Sequence, residues 1–266
     1  REAARRLVGT IAHPLNLPPG ARVLGPSAIG AAGEMYTDAE GMKPNAVPEV
    51  MTEADIKAAV AEFAQAARNA VVAGFDGIEL HGANGYLLEQ FIRPTSNQRS
   101  DRYGGSIENR ARFVLEVTAA AIAAIGRDKV GIRLSPFGVF NDMPIYPEME
   151  ADYAYLAREL DALGPVYVHL VDHAPMGAPP VPESMKATFR RAFTRALIYS
   201  GGHDVALAES NLAAGKCDLV AVGRLFLANP DLVRRWQAGA AVNAPDMSTF
   251  YTPGPKGYTD YPTLTA

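Results

Sequence analysis

The sequence predicts an α/β fold built from repeated strand–helix units around a parallel sheet, and three observations lead there. Short apolar runs recur between helix-period segments from about residue 52 onward; parallel strands, buried on both faces, read as such runs and need helical crossovers. Glycine-rich loops follow several of the runs, as expected of strand ends that must turn sharply. No internal repeat and no low-complexity tract competes with this pattern. Eight such units would close into a TIM (β/α)8 barrel, with function collected at the strand C-termini.

Along the chain, REAARRLVGTIAHPL is basic but lacks the apolar core and small-residue cleavage site of a secretory leader, so a cytoplasmic protein is expected. Arg1 has no methionine before it, so a processed or cut end is expected there. Residues 1–51 offer RLVGTIAH and ARVLGPSAI as strand candidates before a Gly- and Pro-rich stretch, so the barrel is expected to be incomplete at its N-terminal strands. In TEADIKAAVAEFAQAARNAVVAG, Thr52 and Asp55 stand at capping-box spacing, Ile56, Val60, Phe63, Ala67 and Val71 share one face, and Gly74 ends the helix. Five strands follow at FDGIEL (75–80), KVGIRLS (129–135), VYVHLV (166–171), ALIYS (196–200) and DLVAVG (218–223), each separated from the next by a helical segment.

Between the first two strands, SNQRSDRYGGSIENRARFVLEV is polar, broken by glycine and helical from about Ile107. Its density of Asn97, Arg99, Asp101, Arg102, Glu108, Asn109 and Arg110 predicts a charge-knit structural loop. The tail TPGPKGYTDYPTLTA is rich in turn formers and is expected to wrap a surface, and no domain boundary is visible over residues 1–266.

Composition narrows the function classes. The chain is 48% hydrophobic and 20% charged, which excludes disorder and fibrous repeats. A net charge of −4 argues against a broad nucleic-acid surface, and the apolar runs are too short to span a bilayer. One cysteine, Cys217 in KCDLVAV, can form neither an internal disulfide nor a cysteine metal cluster, and it reads as a core position in a reducing compartment.

Candidate chemistry collects where strands end. HGANGY places His81, Asn84 and Tyr86 together: two hydrogen-bond donors able to grip a carbonyl oxygen, and a phenol able to give a proton. The same residues would also suit a histidine satisfying backbone groups and a tyrosine packed under a helix. Arg133, inside GIRLSP, must be paired or face a ligand; Glu79 and Asp172 are the candidate internal partners. Gly201 and Gly202, with Gly223 and Arg224, sit in two loops at the seventh and eighth barrel positions, where phosphate sites are built from close backbone approach and a cation; two ordinary glycine turns with Arg224 on the surface would read the same way. His169 and His173 would share a strand face, but two histidines without a third ligand seldom hold a metal, and none is expected.

Taken jointly, VPEVMTEADI, FDGIELHGANGYLLEQFIRPTSNQRSDRYGGSIENRARFVLEV, GIRLSP, SGG, DLVAVGRLFLANPDLVRR and GYTDYP strongly resemble the Old Yellow Enzyme family of flavin-dependent ene reductases, which includes N-ethylmaleimide reductases and 12-oxophytodienoate reductases. The resemblance runs from about Ile11 to the C-terminus. It implies one TIM-barrel domain holding FMN noncovalently, reduced by NADPH or NADH and then reducing an enone or related activated alkene by ping-pong hydride transfer. It further implies that His81 and Asn84 bind the carbonyl oxygen and Tyr86 protonates the α-carbon. Arg133 would lie beside the flavin pyrimidine edge, Gly201, Gly202, Gly223 and Arg224 around the phosphate, and Phe250 and Tyr251 near the dimethylbenzene edge. Family strands preceding GTIAHPLN, with a flavin-side threonine or cysteine and a glutamine, find no match, and Thr10 stands in place of an arginine. The alternative is therefore a noncatalytic barrel fragment without flavin. Oligomeric state is left open.

Overall fold

The computed structural model describes residues 9–264. Two short strand pairs precede the main sheet: β1 (Leu24–Gly25) pairs in parallel with β4 (Glu49–Val50), and β2 (Glu34–Thr37) pairs antiparallel with β3 (Gly41–Pro44). The RLVGTIAH strand candidate is not borne out where it can be seen, because Gly9–Ile11 is a 3-10 turn; its first residues lie outside the described part. ARVLGPSAI yields only the two-residue β1, outside the main sheet.

That sheet is parallel and runs in chain order: β5 (Ile78–Gly82), β6 (Val130–Leu134), β7 (Tyr167–Val171), β8 (Ala196–Ser200) and β9 (Leu219–Ala221). Sequential parallel neighbours joined by helices are the wall of an α/β barrel, and the described residues form an incomplete one. The predicted first strand is displaced. It begins at Ile78 and runs through His81 to Gly82, while Phe75 is 67% exposed in the turn before it.

The helix α1 (Glu53–Val72) starts as its sequence dictates: Thr52 Oγ1 accepts from the Asp55 N–H at 3.1 Å, and the Thr52 N–H donates to Asp55 Oδ2 at 2.8 Å. Ile56, Phe63 and Ala67 are buried on its inner face, with Val60 and Val71 half-buried. After β5 come α2 (Leu87–Ile92), α3 (Ile107–Arg110) and α4 (Arg112–Ile125), and α4 packs along α1. Further round the wall, α5 (Met149–Leu163), α6 (Glu183–Ala192) and α7 (Val205–Ala213) cross between the remaining strands. Leu80, Ile132, Leu134, Val168, Leu170 and Leu197 point from the strands into the helix layer and form its core, with Cys217 buried beside them. Strand alternation therefore sends Glu79, His81, Arg133, His169 and Ser200 to the opposite, inner face.

Charge-knit segments hold the periphery. Arg99 Nη1 donates to the carbonyls of Pro26 at 3.0 Å and Met51 at 2.6 Å, tying the β1–β4 region to the barrel wall. Arg110 pairs with Asp152 on α5 and donates to the Ile92 carbonyl at 2.8 Å. The tail lies along α9 (Leu232–Gln237), which follows α8 (Arg224–Ala228): Arg235 Nη2 donates to the Pro262 carbonyl at 2.7 Å, and the Leu264 N–H to Asp231 Oδ2 at 2.7 Å. No helix among the described residues is long and apolar enough to cross a membrane.

Thr52→Ala removes the side-chain half of the capping box and is expected to destabilise the protein by about 1 kcal/mol in urea unfolding. An unchanged midpoint would show that the first turn is held by other contacts.

Candidate active site

The HGANGY segment takes its shape from two consecutive left-handed residues. Asn84 has φ 59° and Gly85 φ 73°; asparagine tolerates this region better than most residues, and glycine freely. Gly85 is required there for space as well, because a Cβ would meet the Phe140 carbonyl and Asn141 Cβ at 2.8 Å. The reversal leaves His81 on β5 and Tyr86 at the start of α2 facing one another, ring centroids 5.2 Å apart and planes at 48°. The Asn84 N–H donates to Ser135 Oγ at 2.8 Å, and Asn141 Nδ2 donates to the Asn84 carbonyl at 2.7 Å. Loops after β5 and β6 are thus joined.

Beneath them lies an ion pair. Glu89 and Arg93, one helical turn apart on α2, meet at 2.7 Å with side chains 1% and 0% exposed. Sealed charges of this kind are tolerated only when their remaining bonding capacity is used. Here the Glu89 oxygens accept from the Gly85 N–H at 2.7 Å, Ser135 Oγ at 2.9 Å and the Tyr153 hydroxyl at 3.1 Å. Arg93 donates to the carbonyls of Ser135 and Gly138, both at 3.1 Å. Neither residue was singled out in the sequence, although a glutamate and arginine four apart inside the apolar LLEQFIR were a legible signal.

Next to this loop is a cavity of about 430 Å³ lined by Arg133, Gly201, Gly202, Gly223 and Arg224. Every residue placed in the predicted phosphate loops, and the strand arginine, comes together in it. Neither candidate partner takes Arg133: Glu79 bonds His169 Nδ1 at 3.0 Å, and Asp172 pairs with Lys186 at 3.1 Å. Among the described residues neither Arg133 nor Arg224 has an ion pair. Gly201 and Gly202 hold φ 130° and 64°, and side chains there would collide with the Asp172 carbonyl and Pro175. His81 and Arg133 are direct register partners across β5 and β6, so the loop and the cavity share a wall.

Two expectations are met differently. Phe250 and Tyr251 do not line the cavity; Tyr251 is 98% exposed, and the same segment contributes Pro245 and Met247 instead. His169 and His173 do not share a strand face, because β7 ends at Val171 and His173 lies in the turn beyond it. His169 bonds Glu79 and Ser200, while His173 Nε2 lies 2.7 Å from Asn84 Oδ1. Among the described residues no group of three or more His, Cys, Asp or Glu could hold a metal ion.

Burial, followed by the nearby Arg133 cation, lowers the pKa of both His81 and His173 below 6.5. Both imidazoles are therefore neutral donors at neutral pH. Burial likewise lowers Arg133, which stays a cation.

Comparison with known proteins places this geometry. Residues 9–243 match the NADH:flavin oxidoreductase / NADH oxidase family. The chain is 43% identical to the aldehyde reductase FrzD of a Cladobotryum species, covering 85% of this chain and 62% of that protein. It is 40% identical to a probable flavin mononucleotide-dependent alkene reductase of Leishmania infantum, over 94% of this chain and 68% of that one. Among solved structures, morphinone reductase superposes with a TM-score of 0.92 at 42% identity, covering 97% of this chain and 70% of that one. A complex of that reductase contains tetrahydroNAD. The chain thus spans between 60% and 68% of the length of the first three curated relatives it matches.

Arg93→Met strands the Glu89 carboxylate in the interior and should cost about 3–5 kcal/mol in urea unfolding; a loss under ~1 kcal/mol would show that water or a rearranged donor takes its place. The histidines set a second expectation. The native state disfavours their protonated forms, whereas unfolded imidazoles protonate near 6.5. Their contribution is complete above 6.5 and is lost as pH falls through the lowered native values. The urea midpoint should therefore decline on acidification below that point, and a flat profile would contradict neutral buried imidazoles.

Proposed function

Because the chain belongs to the NADH:flavin oxidoreductase / NADH oxidase family, we propose that it binds FMN in the cavity between its β6, β8 and β9 ends and reduces the activated C=C bond of α,β-unsaturated carbonyl compounds, with NADPH or NADH as hydride donor. The observation that carries this is the pair of arginines, Arg133 and Arg224, that face one glycine-lined cavity with no protein anion of their own. Such a site suits a ligand with two electron-rich ends. Gly201, Gly202, Gly223 and Arg224 would hold the phosphate, and Arg133 would supply a fixed cation to the ring. Bound there, FMN would supply two-electron chemistry in ping-pong fashion, linking oxidation of the nicotinamide to reduction of the alkene in two half-reactions.

The chain's own residues do the rest. His81, as a neutral imidazole, and Asn84 donate hydrogen bonds to the substrate carbonyl oxygen and withdraw electron density from its β-carbon. Tyr86, whose ring lies 5.2 Å from His81, carries the proton for the α-carbon on its phenol oxygen. The Leishmania relative, a probable alkene reductase, and a 42% identical rice relative, 12-oxophytodienoate reductase 1, are named for chemistry of this kind. The buried Cys217 thiol suits a reducing, cytoplasmic setting.

A second possibility, a barrel that folds but holds no flavin, is favoured by one observation: in the described residues the sheet stops at β5 and β9 without closing. One preparation separates them. Purified protein reconstituted with FMN should be yellow, bleach anaerobically with NADPH and recover colour on adding cyclohexenone. A colourless chain that takes up no FMN would exclude the activity. In the active protein, Tyr86→Phe should slow reoxidation by the enone by about 10²–10⁴-fold while sparing flavin reduction; equal losses in both half-reactions would remove Tyr86 as the proton donor.

A further inference from the structure

Asn84 can serve as a carbonyl-binding donor only if its amide nitrogen, and not its amide oxygen, faces the ligand. A carboxamide presents either end after a half-turn about its last side-chain bond, and the two ends have nearly the same shape. The backbone of Asn84 is already fixed by Ser135 Oγ and Asn141 Nδ2. The side-chain torsions, that last bond among them, are the freedom left.

We propose that His173 is a positioning residue that removes this freedom. Its Nε2 lies 2.7 Å from Asn84 Oδ1. An amide oxygen can only accept, so Nε2 carries hydrogen and His173 holds the Nε2–H tautomer. With its oxygen held, the other end of the Asn84 amide is Nδ2, and among the described residues that nitrogen has no protein acceptor. The donor is thus left for a ligand.

His173 is itself held from several sides. It is 6% exposed, packs edgewise on Phe140 with centroids 4.7 Å apart, and its Cδ2 would lie 3.2 Å from a Cβ at Gly138. Its turn is pinned as well: the His173 carbonyl accepts from the Met176 N–H at 2.8 Å, and Asp172 Oδ1 accepts from the Ala174 N–H at 3.0 Å. Asp172 is anchored in turn by Lys186 on α6 at 3.1 Å. The same histidine lines the arginine cavity, so the turn after β7 sets the donor geometry of a residue after β5 across the cavity mouth.

The functional side of this proposal rests on Asn84 binding a carbonyl oxygen, and the test separates the two. First, nitrogen-15 NMR of histidine-labelled protein at neutral pH should show His173 as the Nε2–H tautomer, with that preference lost in Asn84→Ala. A Nδ1–H tautomer, or one indifferent to Asn84→Ala, overturns the proposal whether or not flavin is bound. Second, in flavin-loaded protein titrated with a para-substituted phenol, His173→Phe should weaken binding about tenfold. His173→Gln, which keeps a donor, should recover part of the loss, and His173→Phe should add nothing in an Asn84→Ala background. If Asn84→Ala leaves phenol binding unchanged, the carbonyl role of Asn84 fails. If Asn84→Ala weakens binding but His173→Phe does not, only the positioning role fails.

Discussion

A carboxylate and a guanidinium sealed beneath the strand ends decide the form of everything above them. Glu89 and Arg93 cannot reach water, so each must spend its hydrogen-bonding capacity on protein groups, and those groups are the loops after β5 and β6. Replacing such a pair by apolar residues of similar volume is often neutral or even favourable to stability. What the pair supplies here is definition. Gly85, Ser135 and Gly138 each have one place to go, and the left-handed turn at Asn84 and Gly85 follows from that.

Above this base the site has two sides with different chemistry. The cavity side uses cations and glycines from β6, β8 and β9, which suits a large anionic, aromatic group. The other side uses the neutral donors of the β5 loop, which suit a carbonyl oxygen. They meet along one register line, His81 opposite Arg133, and at one cross-loop bond from His173 to Asn84. Arg133 acts on both sides, since its charge helps to keep His81 and His173 neutral.

The sheet was legible because parallel strands covered by helices must be apolar runs, and all five appear in the predicted order. Boundaries were less so. FDGIEL was read three residues early, because Phe75 and Gly77 resemble strand residues until the turn is seen. β1 and β4, two residues each, are too short to carry any period. The glycine loops and Arg133 announced themselves by residue type alone. Ser135 and the role of His173 did not, because Ser135 lies 46 residues from its partner Glu89 and His173 lies 89 residues from Asn84, and distance in sequence hides such partners. Phe250 and Tyr251, predicted by resemblance, fall in a segment whose local folding presents Pro245 and Met247 to the cavity.

The Asn84–Gly85 step has a consequence for chemical ageing. Asparagine followed by glycine is the dipeptide most prone to deamidation, in which the glycine nitrogen attacks the asparagine side-chain carbonyl and closes a succinimide ring. That nitrogen is committed here: its N–H points to Glu89 Oε2 at 2.7 Å, while His173 holds the asparagine amide from its oxygen end. Conversion to aspartate would put two acceptors where the site needs a donor. The buried carboxylate that shapes the loop therefore also engages the very nitrogen through which this dipeptide could invert the polarity of the site.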